Sequence, residues 1–472
     1  MIKKVYIQKI GLITADVLAV LSSYYLATLL TNLYAKTDFH RLNLNHWPLL
    51  KILDLLLLLG LMWHRQIYFK RRPNWEELRL TYRALFTLFL INLPVLFIKN
   101  NYSYINLVFI LFWLGLYLLI PLYRLFVKLA LAYLGLWQRD VYIIGVNSEA
   151  FATYRLIQPS KLLGYNVCAF VDVRQPVVST KVNLSGLEFP VLDLQHLFAS
   201  SHEAEVILCL GGKYLSDHIK LINHLQQQFL GVTIVPELKG LPLYGIEVSP
   251  FFGNEQILMR LENNLSSRFN RLIKYSFDLG LALLLLLPVI FIFIIVSFLI
   301  YIEDRGNPFF RQIRVGANGK LFKCYKFRTM SKSAESMLNE WQENNHHLYQ
   351  EYVQNNFKLK NDPRITKIGK FLRRSSLDEL PQLINVFLGE MSLVGPRPLI
   401  ASEVKDYHEG LFYYNQVRPG ITGLWQISGR SNTSFADRCR LDTWYVRNWT
   451  IWADVVILIK TFEAILFRSG AY

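Results

Sequence analysis

An apolar run over residues 277–302, interrupted by Pro288, constrains this chain more than any other feature. A straight helix of that length, rising about 1.5 Å per residue, would cover the roughly 30 Å hydrocarbon core of a bilayer. Proline lacks the N–H that a helix interior needs and kinks or breaks it. Two pieces then remain, each shorter than the ~17 residues that crossing requires. Both flanks are basic: Arg268, Arg271 and Lys274 before the run, and Arg305, Arg311, Arg314, Lys320, Lys323, Lys326 and Arg328 after it. Crossing would carry the second cluster to the far face. A helix–break–helix that enters and leaves by the same face satisfies both observations, and a kinked full span is the alternative.

Further apolar stretches lie near 10–34, 47–67, 84–98 and 104–127. The third is short, bounded by Arg83 and Lys99, and holds Pro94. Lys3, Lys4 and Lys9 precede the first, and Arg65, Lys70, Arg71, Arg72 and Arg79 separate the second from the third. The other two connections carry fewer cations, so the positive-inside rule puts both ends of a four-helix bundle in the cytoplasm. Asp16, Lys51 and Asp54 fall in or near these spans, where a central charge costs about 2.5–3.5 kcal/mol. They read as inward-facing or snorkelling side chains, with a lipid or subunit contact as the functional alternative. The early lysines and long apolar run read as a retained anchor rather than a cleaved signal.

A net charge of +16 favours anionic partners. With 52% hydrophobic and 14% aromatic residues, the chain fits a membrane protein better than a nucleic-acid binder. Cys168, Cys209, Cys324 and Cys439 are scattered, without the spacing of a zinc site or a disulfide framework, which suits a reducing cytoplasmic setting.

From about 138 to 250 the pattern becomes α/β, with short strands expected at 141–146, 166–173, 205–210 and 232–235. Gly145-Val146-Asn147-Ser148 after the first strand resembles the opening of a Rossmann-like unit but lacks G-x-G-x-x-G. No Tyr-x-x-x-Lys pair occurs. A degenerate fold used for regulation or assembly is expected over dinucleotide binding, which disfavours an oxidoreductase or epimerase.

The chemistry concentrates in the last third. Between Arg305 and Lys332 there is no acid. Lys326 and Arg328 are expected to share one strand face and meet a substrate phosphate; a solvated basic face on lipid headgroups is the bland reading. Asp378-Glu379 follows Arg373-Arg374. Ser376–Glu379 matches a capping box for a helix 380–388, and a helix start also favours phosphate. Adjacent helical residues do not face each other, so the acids should hold different jobs. Phosphoryl transfer offers two: a carboxylate nucleophile and a ligand for Mg²⁺ on a diphosphate. Gly395-Pro396-Arg397-Pro398 presents one arginine in a stiff loop. Arg418 and Arg430 are further cationic candidates, and Asp442 a metal or hydroxyl partner. Trp452, Val455, Val456, Ile459, Phe462, Ile465 and Leu466 recur at helical spacing, as an interfacial or a core helix would.

Tyr325–Met330, Ser376–Leu380, Met391–Pro398 and Pro419–Gly423 together resemble the bacterial polyprenyl-phosphate hexose-1-phosphate transferases. Phe357–Thr366, which adds Arg364 as a substrate contact, and Ser469–Tyr472 resemble the galactose-transferring long members. The likeness implies an α-helical membrane bundle over 1–135, a Rossmann-like α/β middle domain over 136–262, and a membrane-associated α/β catalytic domain over 263–472 with a re-entrant helix. It implies that Asp378 attacks the sugar-side phosphate of a UDP-hexose and releases UMP, that Glu379 holds Mg²⁺, and that undecaprenyl phosphate accepts the sugar phosphate. Galactose is the expected sugar and glucose the runner-up. The expected setting is the bacterial inner membrane, with a cytoplasmic catalytic face and a homodimer. One departure is Leu287-Pro288, where many members carry Ser-Pro. A nonenzymatic polysaccharide-assembly protein is the alternative from another class.

Overall fold

The apolar stretches of the first third become helices α1 (Lys4–Ala35), α2 (Trp47–His64), α3 (Asn74–Asn92) and α4 (Ser103–Tyr133) in the computed structural model. The structure describes residues 4–35, 47–97, 103–159, 161–173, 181–184, 187–199, 204–211, 218–236, 246–250, 257–260, 264–344, 347–354, 359, 361–428 and 434–466. It divides into two compact units, Met1–Leu238 and Lys239–Tyr472. Among the described residues three helical segments are long and apolar enough to cross a membrane: Lys4–Leu33, Asn106–Tyr133 and, in the second unit, Arg268–Asp304. Helix α2 carries a shorter apolar segment, Ile52–His64. The third stretch lies in α3, which starts at Asn74 with two acids in its first turn and gives way at Leu93–Phe97 to a 3-10 turn around Pro94.

Small residues recur four apart along α1 (Gly11, Ala15, Ala19, Ser23, Ala27), a spacing that brings helix backbones together in lipid. Ala15, Ala19, Ser23 and Ala27 are buried, and a Cβ on Gly115 of α4 would touch Ser23 at 3.4 Å. Asp16 faces inward: Arg124 donates to both its oxygens at 2.7 Å, and the Tyr68 hydroxyl joins them. Glu77 takes Lys128 at 2.6 Å and Arg124 at 3.2 Å, so each buried acid of this group meets a cation. Asp54 accepts from Asn92 at 2.8 Å. The Lys51 side chain lies outside the described residues.

The sheet of the first unit has the order β3-β4-β2-β1-β5-β6, built from β1 (Arg139–Ile144), β2 (Tyr165–Val171), β3 (Lys181–Leu184), β4 (Leu187–Leu192), β5 (Glu205–Leu208) and β6 (Gly231–Ile234). It is mixed: β3 runs antiparallel to β4 and the other pairings are parallel. The hairpin β3–β4 was not among the expected strands. After β1, Asn147 caps helix α5 (Ser148–Ile157) by accepting from Ala150 N–H, while its amide donates to the Cys209 carbonyl at 2.7 Å. Arg71 links α1 to the segment that leads into β1: it donates to Gln8 and to the Trp137 carbonyl, both at 2.9 Å, and lies 3.4 Å over the Trp137 ring.

The second unit opens with the hairpin β7 (Glu247–Pro250) and β8 (Ile257–Arg260), then the helix Arg268–Asp304. That helix runs unbroken through Pro288, so the expected division into two helical pieces is corrected. Ala282 and Val289 are buried against the same core on either side of the proline, which fixes the helical path even without its N–H. Both ends are held by this one unit. Near the start, Lys274 meets Asp454 at 2.8 Å, and Ser392 donates to Asp278 at 2.7 Å. Near the end, Arg328 meets Asp304 at 3.1 Å, and Glu303 accepts the Lys367 N–H at 2.8 Å.

Beyond lie the antiparallel hairpin β9 (Phe309–Val315) and β10 (Leu321–Phe327), the short parallel pair β11 (Ser392–Val394) and β12 (Gly420–Thr422), and surrounding helices. Phe322, Cys324, Val386, Leu393, Tyr445 and Ile457 share the main core. The last helix, Ile451–Leu466, turns Asp454 and Ile457 inward, leaving Ile459 45% and Phe462 65% exposed. Of the apolar stripe read from the sequence, Trp452, Val455, Val456 and Ile465 are half-buried, so the helix packs along part of the stripe and exposes the rest.

Asp454 is fully buried and accepts from Lys274, from Tyr445 at 2.7 Å and from Trp449 at 3.0 Å. Breaking a buried pair of this kind costs about 3–5 kcal/mol. Asp454→Ala is expected to lower the unfolding midpoint of the detergent-purified protein accordingly; an unchanged midpoint would show that the network is not what holds the helix.

Candidate active site

The carboxylate pair sits in a 3-10 turn, Leu377–Glu379, between the helices Lys367–Ser375 and Gln382–Phe387. The expected capping box is not formed. Ser376 takes a left-handed conformation (φ 57°) to end the preceding helix, and its side chain makes no capping bond. The following helix starts at Gln382, after Pro381. A sharp stop and restart presents Asp378 and Glu379 from a bend rather than along one helical face.

Strand β10 delivers the counter-charge. Lys326 Nζ meets Glu379 Oε1 at 2.7 Å. The register is set by Asn385, fully buried in the helix after the acids: its oxygen accepts the Tyr325 N–H at 3.1 Å and its amide donates to the Lys323 carbonyl at 2.8 Å. This clamp holds strand and acid turn together. An asparagine inside the apolar run Leu383–Leu388 is the sequence signal that could have revealed it.

Burial pushes the Asp378 carboxyl up to about 6, helped by the charge of Glu379 and opposed by Lys326 and Arg373. Burial raises Glu379 as well, but the Lys326 ion pair, Arg397 and a hydrogen bond from Gln382 outweigh it, leaving Glu379 below the usual carboxylate range. The neighbours thus differ in proton affinity, as a nucleophile and a fixed anionic ligand would. Arg373, which donates to the Thr329 hydroxyl at 3.0 Å, was not among the expected site residues.

Arg397 reaches the same region from the loop after β11. Gly395 and Gly420 are packed so closely that a Cβ on either would strike the other's backbone. Gly395 N–H donates to Thr422 at 2.9 Å and Gly420 N–H to Pro396 at 2.8 Å. The Arg397 guanidinium lies 5.4 Å over Trp425. Beneath it Asp442, 2% exposed, accepts from the Tyr407 hydroxyl at 2.7 Å. Burial raises its carboxyl to about 7 against the pull of Tyr407, Arg438 and Arg397. Asp442 therefore supports the loop from below rather than lining an open surface.

The remaining expected contacts lie elsewhere. Arg328 pairs with Asp304 rather than joining Lys326. Arg364 is 5% exposed and held at both ends of the Asp362 carboxylate, at 2.9 and 2.7 Å, between Trp341 and Tyr352. Arg418 stacks 4.5 Å from the Tyr275 ring. Arg430 lies outside the described residues, as do Phe357, Lys358, Lys360 and Ser469–Tyr472.

Residues 269–468 match the family described as bacterial sugar transferase. The chain is 36% identical over 424 residues to the undecaprenyl-phosphate galactose phosphotransferase of Salmonella typhimurium, an alignment covering 88% of this chain and 86% of that one. It is 36% identical over 417 residues to the UDP-galactose-lipid carrier transferase of Erwinia amylovora, with 88% and 86% covered. It is 35% identical over 244 residues to the UDP-glucose:undecaprenyl-phosphate glucose-1-phosphate transferase of Klebsiella pneumoniae, with 50% and 46% covered. An acid turn braced by β10, an arginine loop locked by paired glycines, and a likeness extending over most of two relatives agree with the motif resemblance: the chain belongs to the bacterial sugar transferase family.

Proposed function

We propose that this chain transfers hexose-1-phosphate from a UDP-sugar to undecaprenyl phosphate, through a covalent intermediate on Asp378, at the inner membrane of a bacterium. The observation that carries the reading is the bent pair Asp378-Glu379, with Glu379 held by Lys326 at 2.7 Å and Arg397 close by. A carboxylate oxygen of Asp378 attacks the sugar-side phosphorus. The bond to the bridging oxygen breaks, UMP departs with that electron pair, and a sugar-phosphoryl aspartate remains. A phosphate oxygen of undecaprenyl phosphate then attacks the same phosphorus, the Asp378 carboxylate is released, and a lipid-linked diphosphate sugar is formed. Lys326 and Arg397 supply positive charge where the phosphates gather.

Mg²⁺ is part of the proposal. Among the described residues no group of three or more His, Cys, Asp or Glu is placed to bind a metal. Mg²⁺ with a nucleotide is commonly held by one or two carboxylates plus substrate phosphates, and the chemistry of Glu379 with Asp378 fits that donor set. The ion would neutralise charge on the diphosphate. Galactose is the preferred sugar, because the relatives matched over most of their length are named for galactose transfer; glucose is the second choice. A nonenzymatic assembly role is disfavoured by the intact acid pair. The sheet of the first unit is read as a Rossmann-like domain for assembly or regulation, consistent with a homodimer.

We further propose that the helix Arg268–Asp304, continuous but bent at Pro288, is re-entrant, with the catalytic unit on the cytoplasmic face. A straight helix of that length would reach about 55 Å, more than the ~30 Å hydrocarbon core, yet both of its ends are bound by one unit. Opposite-side placement would force that unit to reach across the bilayer. In a background lacking the native cysteines, Asn307→Cys should resist a membrane-impermeant maleimide in intact cells and react after permeabilisation. Labelling of intact cells would mean that the helix crosses.

With purified protein, undecaprenyl phosphate, Mg²⁺ and a UDP-hexose, Asp378→Asn is expected to cut UMP release by at least ~10³-fold while the fold is kept. Retention of more than about a few per cent of the activity would remove Asp378 as nucleophile. Because Asp378 must be ionised to attack, kcat/KM should rise with pH through about 6 and then level off. Lys326 lowers both carboxyls, so Lys326→Met should move this acid limb upward by about 1 pH unit. An unmoved limb would show that Lys326 is not their counter-charge.

A further inference from the structure

Behind the Arg397 loop lies a group of donors that the proposed reaction has not used. Arg438, on the helix Phe435–Arg447, is 7% exposed. Its guanidinium lies between aromatic rings, 5.6 Å from Trp425 and 5.2 Å from Phe435. One nitrogen, Nη1, reaches Glu403 at 3.4 Å. The other two, Nε and Nη2, are buried without a hydrogen-bond partner among the described residues, and the indole Nε1 of Trp425 is in the same state. Asp442 forms an ion pair with Arg438 at 3.8 Å, beyond a hydrogen bond, and its own Oδ1 is likewise buried without a hydrogen-bond partner among the described residues.

Leaving buried donors unsatisfied is costly, and more so for a charged group. Trp425 lies within 5.4 Å of the Arg397 guanidinium as well, so two cations and an N–H flank one ring. Arg314, which donates to the Pro398 carbonyl at 3.1 Å, adds a further cation beneath the same loop. Arg397 also acts on Glu379, which brings the loop's cation within reach of the acid turn. Glu403 and Asp442 lie beside these cations, but neither reaches Arg438 Nε or Nη2 at hydrogen-bond distance. A phosphate oxygen can accept from guanidinium and indole N–H groups together.

We propose that Arg438 and Trp425, with Arg397, form an oxyanion subsite that receives a phosphate-ester group during the reaction. The proposal rests on the transferase reading and deepens it by adding residues to its binding surface. The phosphate has two available sources, the nucleotide of the UDP-sugar and the phosphate of the lipid acceptor.

The variants are Trp425→Phe, which removes the indole N–H together with part of the ring, and Arg438→Lys, which keeps the charge and loses the planar fork. Each is compared with wild type by its unfolding midpoint, by KM for UDP-hexose and for undecaprenyl phosphate, and by calorimetric titration with UMP. The expected result is a rise of at least ~10-fold in one KM for Arg438→Lys, with a smaller rise in the same KM for Trp425→Phe and an unchanged midpoint. A matching loss of UMP affinity assigns the site to the nucleotide. A rise confined to the lipid KM, with UMP binding unchanged, assigns it to the acceptor. If both KM values and UMP affinity stay at wild-type levels in folded variants, the subsite is overturned; if Arg438→Lys fails to fold, Trp425→Phe alone decides. Should wild type turn over no UDP-hexose, the transferase reading fails. UMP titration and the stabilisation of wild type and variants by undecaprenyl phosphate then still decide the subsite: a difference in either supports it, and none overturns it.

Discussion

The contact between Lys274 and Asp454 is the constraint on which the catalytic unit is built. An apolar helix that belongs in lipid has to be fastened to a polar domain, and a buried ion pair does so only when its remaining lone pairs are satisfied. Asp454 meets that condition through Tyr445 and Trp449. Tyr445 also donates to the Val394 carbonyl at 3.0 Å, at the end of β11. One carboxylate therefore ties together the membrane helix, the two C-terminal helices and the strand that leads into the arginine loop. Loss of this point would disturb both membrane attachment and site geometry.

From that anchor the site is assembled out of segments that are distant in the chain. Strand β10 contributes Lys326, the turn 377–379 the acids, and the Gly395–Arg397 loop its cation. Asn385 and the paired glycines do the joining. Asn385 bonds the backbone of β10, and the glycines pack backbone against backbone. Arg364 and Arg328 stay out of the acid turn: their charge is spent on Asp362 and Asp304, where it stabilises the frame.

The broad architecture was legible because its signals are local. Apolar runs of bilayer length announced α1, α4 and the proline-bearing helix, and β-branched runs announced most of the mixed sheet. The four-residue spacing of small side chains along α1 was equally visible, though it was not read. Where the reading failed, a local rule met a tertiary demand. Pro288 argued for a break, but packing on both sides of it keeps the helix continuous. Ser376 fitted a capping box, but the previous helix needed a left-handed residue to stop.

The sequence by itself determined the membrane-length segments, the family motifs and the identity of the acid pair, because each is carried by residues close together in the chain. Only the tertiary structure decided which charges meet. Lys326 and Arg328 are nearly adjacent yet have different partners, and Lys274 finds Asp454 across 180 residues of chain. Asp442, expected as a metal or hydroxyl partner, lies buried beneath the arginine loop, and Arg438, not among the expected residues, holds donors without a hydrogen-bond partner among the described residues. Electrostatic energy depends on separation in space and on burial, and neither is written in the order of the residues.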